Sequence, residues 1–496
     1  MAFRRGVARS AELKQTAMNK TTLNTERTVG AGTALAARLA ALSLCSPAAY
    51  AQERLSFGDA LQRVRQHNES LMAGQDEVRQ RESEKAAAAG LKVPKVELEL
   101  RQYLLDSRIS IPLDPIPLDY KVQNRQFTQG EVSVTWPVYT GGRIDAANRA
   151  AAAKQHEAEA QFRFTGDQLV TELAQRYFGV CLACRARGVA ALKVTAMEQH
   201  AGRARRLMEE GIISRAETLG AEVALANART ELESADRDVT IAKEGLANTM
   251  AWDGAAEPAT PLFLMRGLEA KEHFLDSVAE SHPVLAMLGA KREQARQGVR
   301  AEEGANRPTV YVFGRHELIT EDLTLLDPKW AMGIGGQYTL FDGAQGKNKV
   351  AAAKAQEERV AHLRQKYQRD LRSLTVKRYE EMEKAREQYD SLDTTLALTT
   401  ENLRVRTRAF EEGVATSLEV VDAALTHARA QLGRLKAAYD FDTAFFQLLE
   451  SSGQTGRHAE YLAKAIPVPE NESFPGPADP SLVEPLNKKP AESKSK

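Results

Sequence analysis

Residues 136–152 read WPVYTGGRIDAANRAAA, and residues 338–354 read YTLFDGAQGKNKVAAAK. At an offset of 202, Val138 falls on Leu340, Tyr139 on Phe341, Gly141 on Gly343 and Ala150 on Ala352. Each copy passes from alternating residues, through an aromatic and a glycine, into alanine-rich chain. This is a strand that turns directly into a helix, written twice.

Downstream the duplication continues. RLMEEGIISRAETLGAE (206–222) returns as RAFEEGVATSLEVVDAA (408–424), placing Glu209, Glu210, Gly211 and Glu217 on Glu411, Glu412, Gly413 and Glu419. From Arg143 to about Glu209, and from Gln345 to about Glu411, there is no proline. At 1.5 Å per residue each segment predicts a helix about 100 Å long. That exceeds what a globular domain needs, and the segments are too polar to stand alone, so they must pack side by side as in a coiled coil. Gly211 and Gly413 suit the left-handed residue that ends a helix. A second helix then returns, over about 216–250 and about 418–450. Glu419 and Asp422 are three apart and share a helical face. A plainer role for both is to favour the positive end of the returning helix.

Upstream the offset becomes 214: Leu71/Leu285, Gly90/Gly304, Pro94/Pro308 and Val96/Val310 coincide. Each copy therefore opens with a helical segment, about 55–92 and about 268–305. Two short alternating segments follow. In KVELELR, Val96, Leu98 and Leu100 face away from Lys95, Glu97, Glu99 and Arg101; in EVSVTWPVY, Val132, Val134, Trp136 and Val138 face away from Glu131, Ser133 and Thr135. In WAMGIGGQYTL, Trp330, Met332, Ile334, Tyr338 and Leu340 oppose Gly333, Gly335, Gln337 and Thr339. TVYVFGR (309–315) is apolar on both faces. The loop between the strands is about twelve residues longer in the first copy and contains IPLDPIPLDY (111–120), read as a proline-rich, non-strand segment. Strands of ~9–11 residues with one apolar face suit a membrane barrel; a soluble hairpin with one face on a core is the alternative.

The chain has 496 residues, with 6% aromatic and 27% charged. It is lean in large core-forming side chains and suits layered helices. Its formal charge of zero gives no basic bias towards nucleic acid. Residues 1–51 read as a cleaved export signal: Arg4, Arg5, Arg9, Lys20 and Arg27 precede LAALSLCSPAAYAQ, and Ala49-Tyr50-Ala51 offers a small-x-small cleavage site before Gln52. Met18 is an alternative start; a membrane anchor, or a lipoprotein acylated at Cys45, are alternative fates. Without residues 1–51 the chain keeps 60 of its 67 bases and 65 of its 67 acids, a charge of −5. Beyond the leader no apolar run of ~18–20 residues exists, so a membrane crossing would have to be a closed β-barrel. Cys181 and Cys184 share a face in mid-helix and read as packing cysteines rather than a redox pair.

The domain reading is repeat 1 over 52–265, with a hairpin at about 94–139 and a helical hairpin at about 142–250. Repeat 2 covers 266–455, with a hairpin at about 308–341 and a helical hairpin at about 344–450. The Pro-, Glu- and Lys-rich tail, 456–496, reads as disordered and periplasmic. Two strands per copy make four per chain. Four strands cannot close, and an open edge cannot sit in lipid. Three chains supply twelve, wide enough for an aqueous lumen.

With these features the chain resembles the outer-membrane factor family, the TolC-like exit ducts of Gram-negative export systems. The resemblance covers about residues 52–455 and rests on the junctions VYTGG and LFDGA and on the two EEG turns. It implies a homotrimer with a twelve-stranded barrel in outer-membrane lipid and a long helical tunnel in the periplasm. It implies passive conduction, with energy from an inner-membrane pump or ABC transporter and coupling through a periplasmic adaptor (membrane fusion) protein. The turns at Glu209, Glu210, Gly211, Glu411, Glu412 and Gly413 become the tunnel tips where the adaptor docks. Glu419 and Asp422 become a periplasmic gate ring. The basic latch that some relatives place two residues after the second turn glycine is Ala415 here, with Arg215 and Arg404 as substitutes.

No enzyme is read. HEAEA (156–160) lacks the second histidine of a zinc helix; GAQGKN (343–348) and GIGGQY (333–338) miss positions that a phosphate or dinucleotide loop needs. No cofactor or metal is implied. The rival reading is a periplasmic coiled-coil adaptor or structural protein, which explains the helices but not the paired amphipathic hairpins. The cargo is not written in the chain: drug efflux, metal efflux and type I protein secretion all fit.

Overall fold

The computed structural model describes residues 53–112, 119–254, 256–321, 323 and 327–469. The export signal, its cleavage at Gln52, Cys45 and the tail from 470 lie outside the described residues. The described residues belong to one compact unit.

The helices, in chain order, are α1 (Phe57–His67), α2 (Glu69–Ala89), α3 (Arg143–Glu209), α4 (Arg215–Thr249), α5 (Lys271–Ser281), α6 (Pro283–Ala305), α7 (Gln345–Glu411), α8 (Ser417–Ser452) and α9 (His458–Leu462). α3 and α7 are 67 residues each, about 100 Å long. Each packs against its returning partner, α4 or α8. No described helix is long and apolar enough to cross a membrane.

The single opening helix expected in each copy is instead two. Asn68 breaks the first, at φ −73° and ψ 123°, and its side-chain oxygen accepts from Ser70 N at 3.0 Å. His282 breaks the second, at φ −66° and ψ 123°, and its Nδ1 accepts from Val284 N at 3.2 Å. Both residues leave helical backbone to cap the helix that follows. Pro283 enforces the second break, because it cannot continue α5 yet suits the first position of α6. The breaks lie 214 positions apart, on the same internal offset as the flanking sequence.

The strands are β1 (Glu53–Leu55), β2 (Lys95–Leu104), β3 (Ile109–Pro112), β4 (Asp119–Gln123), β5 (Gln126–Tyr139), β6 (Ala256–Pro258), β7 (Phe263–Leu264), β8 (Thr309–Glu317), β9 (Trp330–Gln337) and β10 (Ile466–Pro467). Four of them form an antiparallel sheet in the order β2-β5-β8-β9. Its register puts Val96 beside Val134, Trp136 beside Val312, and Val312 beside Ile334. Residues directly opposite point to the same face, so one face carries Val96, Leu98, Leu100, Val134, Trp136, Met332 and Ile334, all exposed. The opposite face carries Lys95, Glu97, Glu99, Glu131, Ser133 and Arg315. Tyr311 and Phe313 were ambiguous because they put aromatics on that polar face. They cover neighbouring glycines: a Cβ on Gly335 would lie 2.5 Å from the Tyr311 ring, and one on Gly333 3.0 Å from Phe313. β2 and β9 have no further strand partner among the described residues.

β3 and β4 correct the non-strand reading of 111–120. Ile111 pairs with Tyr120 and Pro112 with Asp119. Pro112 ends its strand, where its missing N–H is tolerated. Residues 113–118 of that segment lie outside the described residues.

The main core sits where the helical pairs meet the short strands. Phe57, Tyr177, Phe178, Phe263, Phe441, Phe445 and Phe446 form a contiguous aromatic cluster. The Tyr177 hydroxyl donates to Leu55 O at 2.6 Å and accepts from Thr260 N at 2.8 Å, tying the end of β1 and the segment after β6 to α3. β1 runs parallel to β6, and β10 antiparallel to β7. The stretch 251–267 thus contains strand, and the tail expected to be disordered from 456 folds as far as Pro467. Arg185 secures its continuation, donating to Val468 O at 3.0 Å and Pro469 O at 3.1 Å. These pairings are nonlocal, which is why tail composition alone misjudged them. Cys181 donates to Thr260 O at 3.5 Å, and burial pushes its thiol up to about 12, as suits a packing cysteine.

Candidate functional site

The residues singled out by the sequence gather at the helical turns and at the strand-to-helix junctions. At the turns, Gly211 has φ +73° and Gly413 φ +76°. Ile212 N–H donates to Leu207 O at 2.8 Å and Gly211 N–H to Met208 O at 3.0 Å. The second turn repeats this, Val414 to Ala409 O at 2.9 Å and Gly413 to Phe410 O at 3.0 Å. The last carbonyls of α3 and α7 are thereby satisfied. Ser214 and Thr416 then cap the returning helices, accepting from Glu217 N at 3.3 Å and Glu419 N at 3.4 Å.

The two turns touch: a Cβ on Gly413 would lie 3.5 Å from Ile212 Cγ2. Glu217 reaches from α4 to accept the Ser417 N–H at 2.7 Å, capping α8 from the other hairpin. His200 of α3 meets the same residue, its Nε2 2.8 Å from Ser417 Oγ. His200 is only 1% exposed and lies against Phe410, centroid to centroid 4.7 Å. Burial first, and Arg203 second, pull its pKa down to about 4, so the ring is neutral at neutral pH. A small core of Met197, Ala201, Leu225, Leu403 and Val420 surrounds this junction.

Glu419 and Asp422 lie on one side of α8, Glu419 half-buried and Asp422 exposed. Glu419 forms an ion pair with Arg406 of α7. Arg404, one of the two expected substitutes for the missing base at Ala415, instead pairs with Glu401 at 2.7 Å. The base that pairs with Glu419 is Arg406, and no ion pair joins Arg215 to Glu419 or Asp422 among the described residues. Of the turn carboxylates, Glu411 pairs with Arg203 at 3.5 Å and Glu412 with Arg408 at 3.1 Å. Glu209 and Glu210 are exposed.

Arg406, Glu217 and His200 were missed as site residues. Signals existed: Ser-x-x-Glu at 214–217 and Thr-x-x-Glu at 416–419 are capping patterns. His200 lies next to Ala201 and three residues after Met197, on the buried face of α3.

At the junctions, Gly141 (φ +65°), Gly142 (+90°) and Gly343 (+65°) are all left-handed. Ala344, at the position of Gly142, holds φ +67° without being glycine. Gly141 also packs closely: a Cβ there would lie 2.3 Å from Gly304 O, whereas nothing lies within 4 Å of one on Gly343.

The sequence matches the family described as Outer membrane efflux protein over residues 60–251 and 274–454. It is 22% identical over 425 residues to Protein CyaE of Bordetella pertussis, covering 83% of this chain and 87% of that one. The fold is similar to that of the outer membrane protein VceC of Vibrio cholerae (TM-score 0.68, 14% identity, 80% of this chain and 96% of that one). It is similar also to the open state of the MtrE outer membrane channel of Neisseria gonorrhoeae (TM-score 0.67, 16% identity, 80% and 89%).

Proposed function

This chain belongs to the outer membrane efflux protein family, and on that premise we propose that three copies assemble into a passive exit duct. The protein resides in the outer membrane, with a large periplasmic part. One observation carries the proposal: a four-stranded sheet, apolar on one exposed face, has two edges without a strand partner among the described residues. Backbone edges cannot remain unpaired in lipid. β9 of one chain therefore pairs with β2 of the next, and three chains close twelve strands around a lumen. The apolar face meets lipid, and α3, α4, α7 and α8 extend the lumen as a periplasmic tunnel.

Such a duct binds no cofactor and performs no chemistry. Its partners are a periplasmic adaptor, received at the turns around Gly211 and Gly413, and an inner-membrane pump or ABC transporter that supplies energy and chooses the cargo. The reading as a soluble adaptor or structural protein leaves the exposed apolar sheet face without a purpose. Electrophoresis of unheated membranes tests this: a heat-modifiable band of three chains in the outer-membrane fraction is expected, and a soluble or monomeric protein overturns it.

The tips are the proposed gate. Two inward acids per chain would make two rings of three carboxylates, Glu419 and Asp422, which attract cations and repel anions. A second role is favoured for Glu419 by its position in the Thr416 cap and its pairing with Arg406. In this arrangement Arg406 takes the part of the absent base at Ala415, and Asp422 carries the charge exposed to the lumen.

A further inference from the structure

The two copies of the internal repeat are not covered alike. α6 packs against α7 of its own copy and also against α3 of the other copy, whereas α2 packs against α3 of its own copy. α6 accordingly buries Val284, Leu285, Leu288, Gln297, Val299 and Gly304, and α2 buries only Leu71. The glycines mark the same difference. A Cβ on Gly304 would lie 2.8 Å from Gly141 O, but nothing lies within 4 Å of one on their counterparts Gly90 and Gly343. One surface of α2 and one of α7 thus lack the cover that α6 and α3 give each other within the chain.

The charges on that surface are inverted between the copies. Within the chain, Lys291 of α6 pairs with Glu157 of α3 at 3.3 Å, and Gln294 donates to the same carboxylate at 2.5 Å. At the offset of 214, Lys291 falls on Glu77 and Gln294 on Gln80; at 202, Glu157 falls on Arg359. A base on the short helix and an acid on the long one become an acid on the short helix and a base on the long one. Glu77, Gln80 and Arg359 are exposed. Glu77 pairs with Arg81 of its own helix at 3.6 Å, and Arg359 makes no ion pair among the described residues.

We propose that Glu77 and Arg359 pair across the seam between neighbouring chains, so that the uncovered surface of α2 receives α7 of a second copy of this chain. The proposal rests on the trimeric-duct reading and adds the residues that tell one seam from another. The contact of α6 with α3 is then copied between chains: Gly90 seats against Gly343 of the next chain, and Glu77 and Gln80 meet Arg359 of the next chain. The inversion acts as a code. α2 seated across α3 of another chain would set Glu77 against Glu157, and α6 seated across α7 of another chain would set Lys291 against Arg359. Like charges set face to face exclude wrong partners.

The test reverses the charges in the full protein, extracted from outer membranes in detergent. Its readout is the share of trimer over single chain on gels of samples warmed stepwise. Exposed ion pairs are each worth about 1.5- to 5-fold, so three mismatched seams in Glu77→Lys or in Arg359→Glu should lower that share about 3- to 100-fold at low salt. The loss should shrink in 1 M salt, where the screening length is about 3 Å. Carrying both reversals in one chain should restore the trimer, which separates a lost pair from a misfolded chain. Wild type and the doubly reversed chain, co-expressed with different tags, should sort apart. Each mixed trimer holds two mismatched seams, so mixed trimers should fall about 2- to 25-fold below a statistical share. A wild-type trimer that neither reversal weakens, or a double reversal that neither rescues nor sorts, would overturn the pair alone. A wild type without a trimer band would overturn the duct reading, and the pair with it.

Discussion

Replacing Leu98 and Tyr338 together with cysteine should lock neighbouring chains into a covalent trimer. The pair follows from the internal repeat. Within one chain β5 meets β8 with Trp136 opposite Val312 and Val134 opposite Gly314. β9 repeats β5 at an offset of 202, and β2 repeats β8 at 214. If the interface between chains copies the one within the chain, Tyr338 lies opposite Leu98 of the next chain, and Gly336 opposite Leu100. Opposed residues in an antiparallel pair have Cα atoms about 4.5–5.5 Å apart, inside the window of about 4.4–6.8 Å that a disulfide spans. A slip of two residues moves them roughly 7 Å along the strand, which takes them out of reach. Leu98→Cys with Ile334→Cys, four residues out of register, is therefore the control and should not cross-link. The background replaces Cys45, Cys181 and Cys184 with alanine, and non-reducing electrophoresis after heating reads the result. Cross-linking of the control pair, or none for the predicted pair in a protein that mass photometry shows to be trimeric, refutes the copied interface.

The same symmetry predicts that Gly90→Ala leaves the chain folded but blocks assembly. Nothing lies within 4 Å of a Cβ at Gly90, whereas at its counterpart Gly304 a Cβ would meet Gly141 O at 2.8 Å; normal circular dichroism with an unchanged trimer yield would contradict it. Val134→Arg or Ile334→Arg should cost ~2–4 kcal/mol per chain on the lipid face, while Ser133→Arg is tolerated; equal trimer yields from all three would point to a soluble hairpin. At the tip, Glu419→Ala with Asp422→Ala should weaken cation selectivity and relieve trivalent-cation block from the periplasmic side. Lost thermal stability with unchanged selectivity would mean that both are helix caps. Thermal melts should show acid sensitivity from His200 and His282, both held to about 4 in the fold by burial. Between pH 6.5 and 4 the unfolded chain takes up protons that the fold refuses, so stability falls as pH falls through that window. Asp167, raised to about 6 first by burial and then by Glu450, acts in the opposite sense, losing stability as pH rises towards 6. His200→Asn should flatten the acid loss, and an unchanged slope would refute this assignment.

What the chain discloses about itself depends on how far apart the interacting residues are. The ends of α3 and α7 were readable because each is set within one turn, by Gly211 and Gly413 and the caps that follow. The apolar sheet face was readable because strand alternation is local. The breaks at Asn68 and His282 were equally local and were passed over: a capping asparagine and a histidine before proline both announce a helix start inside what reads as one continuous pattern. β1, β6, β7 and β10 were not readable, since each is two or three residues long and exists only through its distant partner. The same holds for Arg406, which alternation and spacing leave among many surface arginines until α7 and α8 are set side by side.

Three glutamates on the polar sheet face show where local reading stops and register begins. Alternation assigns Glu99, Glu131 and Glu317 to polar positions one strand at a time, as ordinary solvated residues. Only the pairing of Glu99 with Glu131, and of Glu131 with Glu317, places them in one line. A shift of one residue in either pairing would break the line and also turn the apolar side chains of that strand to the polar face. Keeping one face of the sheet apolar thus fixes the register, and the register fixes the row, so the acids stand in line as a consequence of how the strands pair.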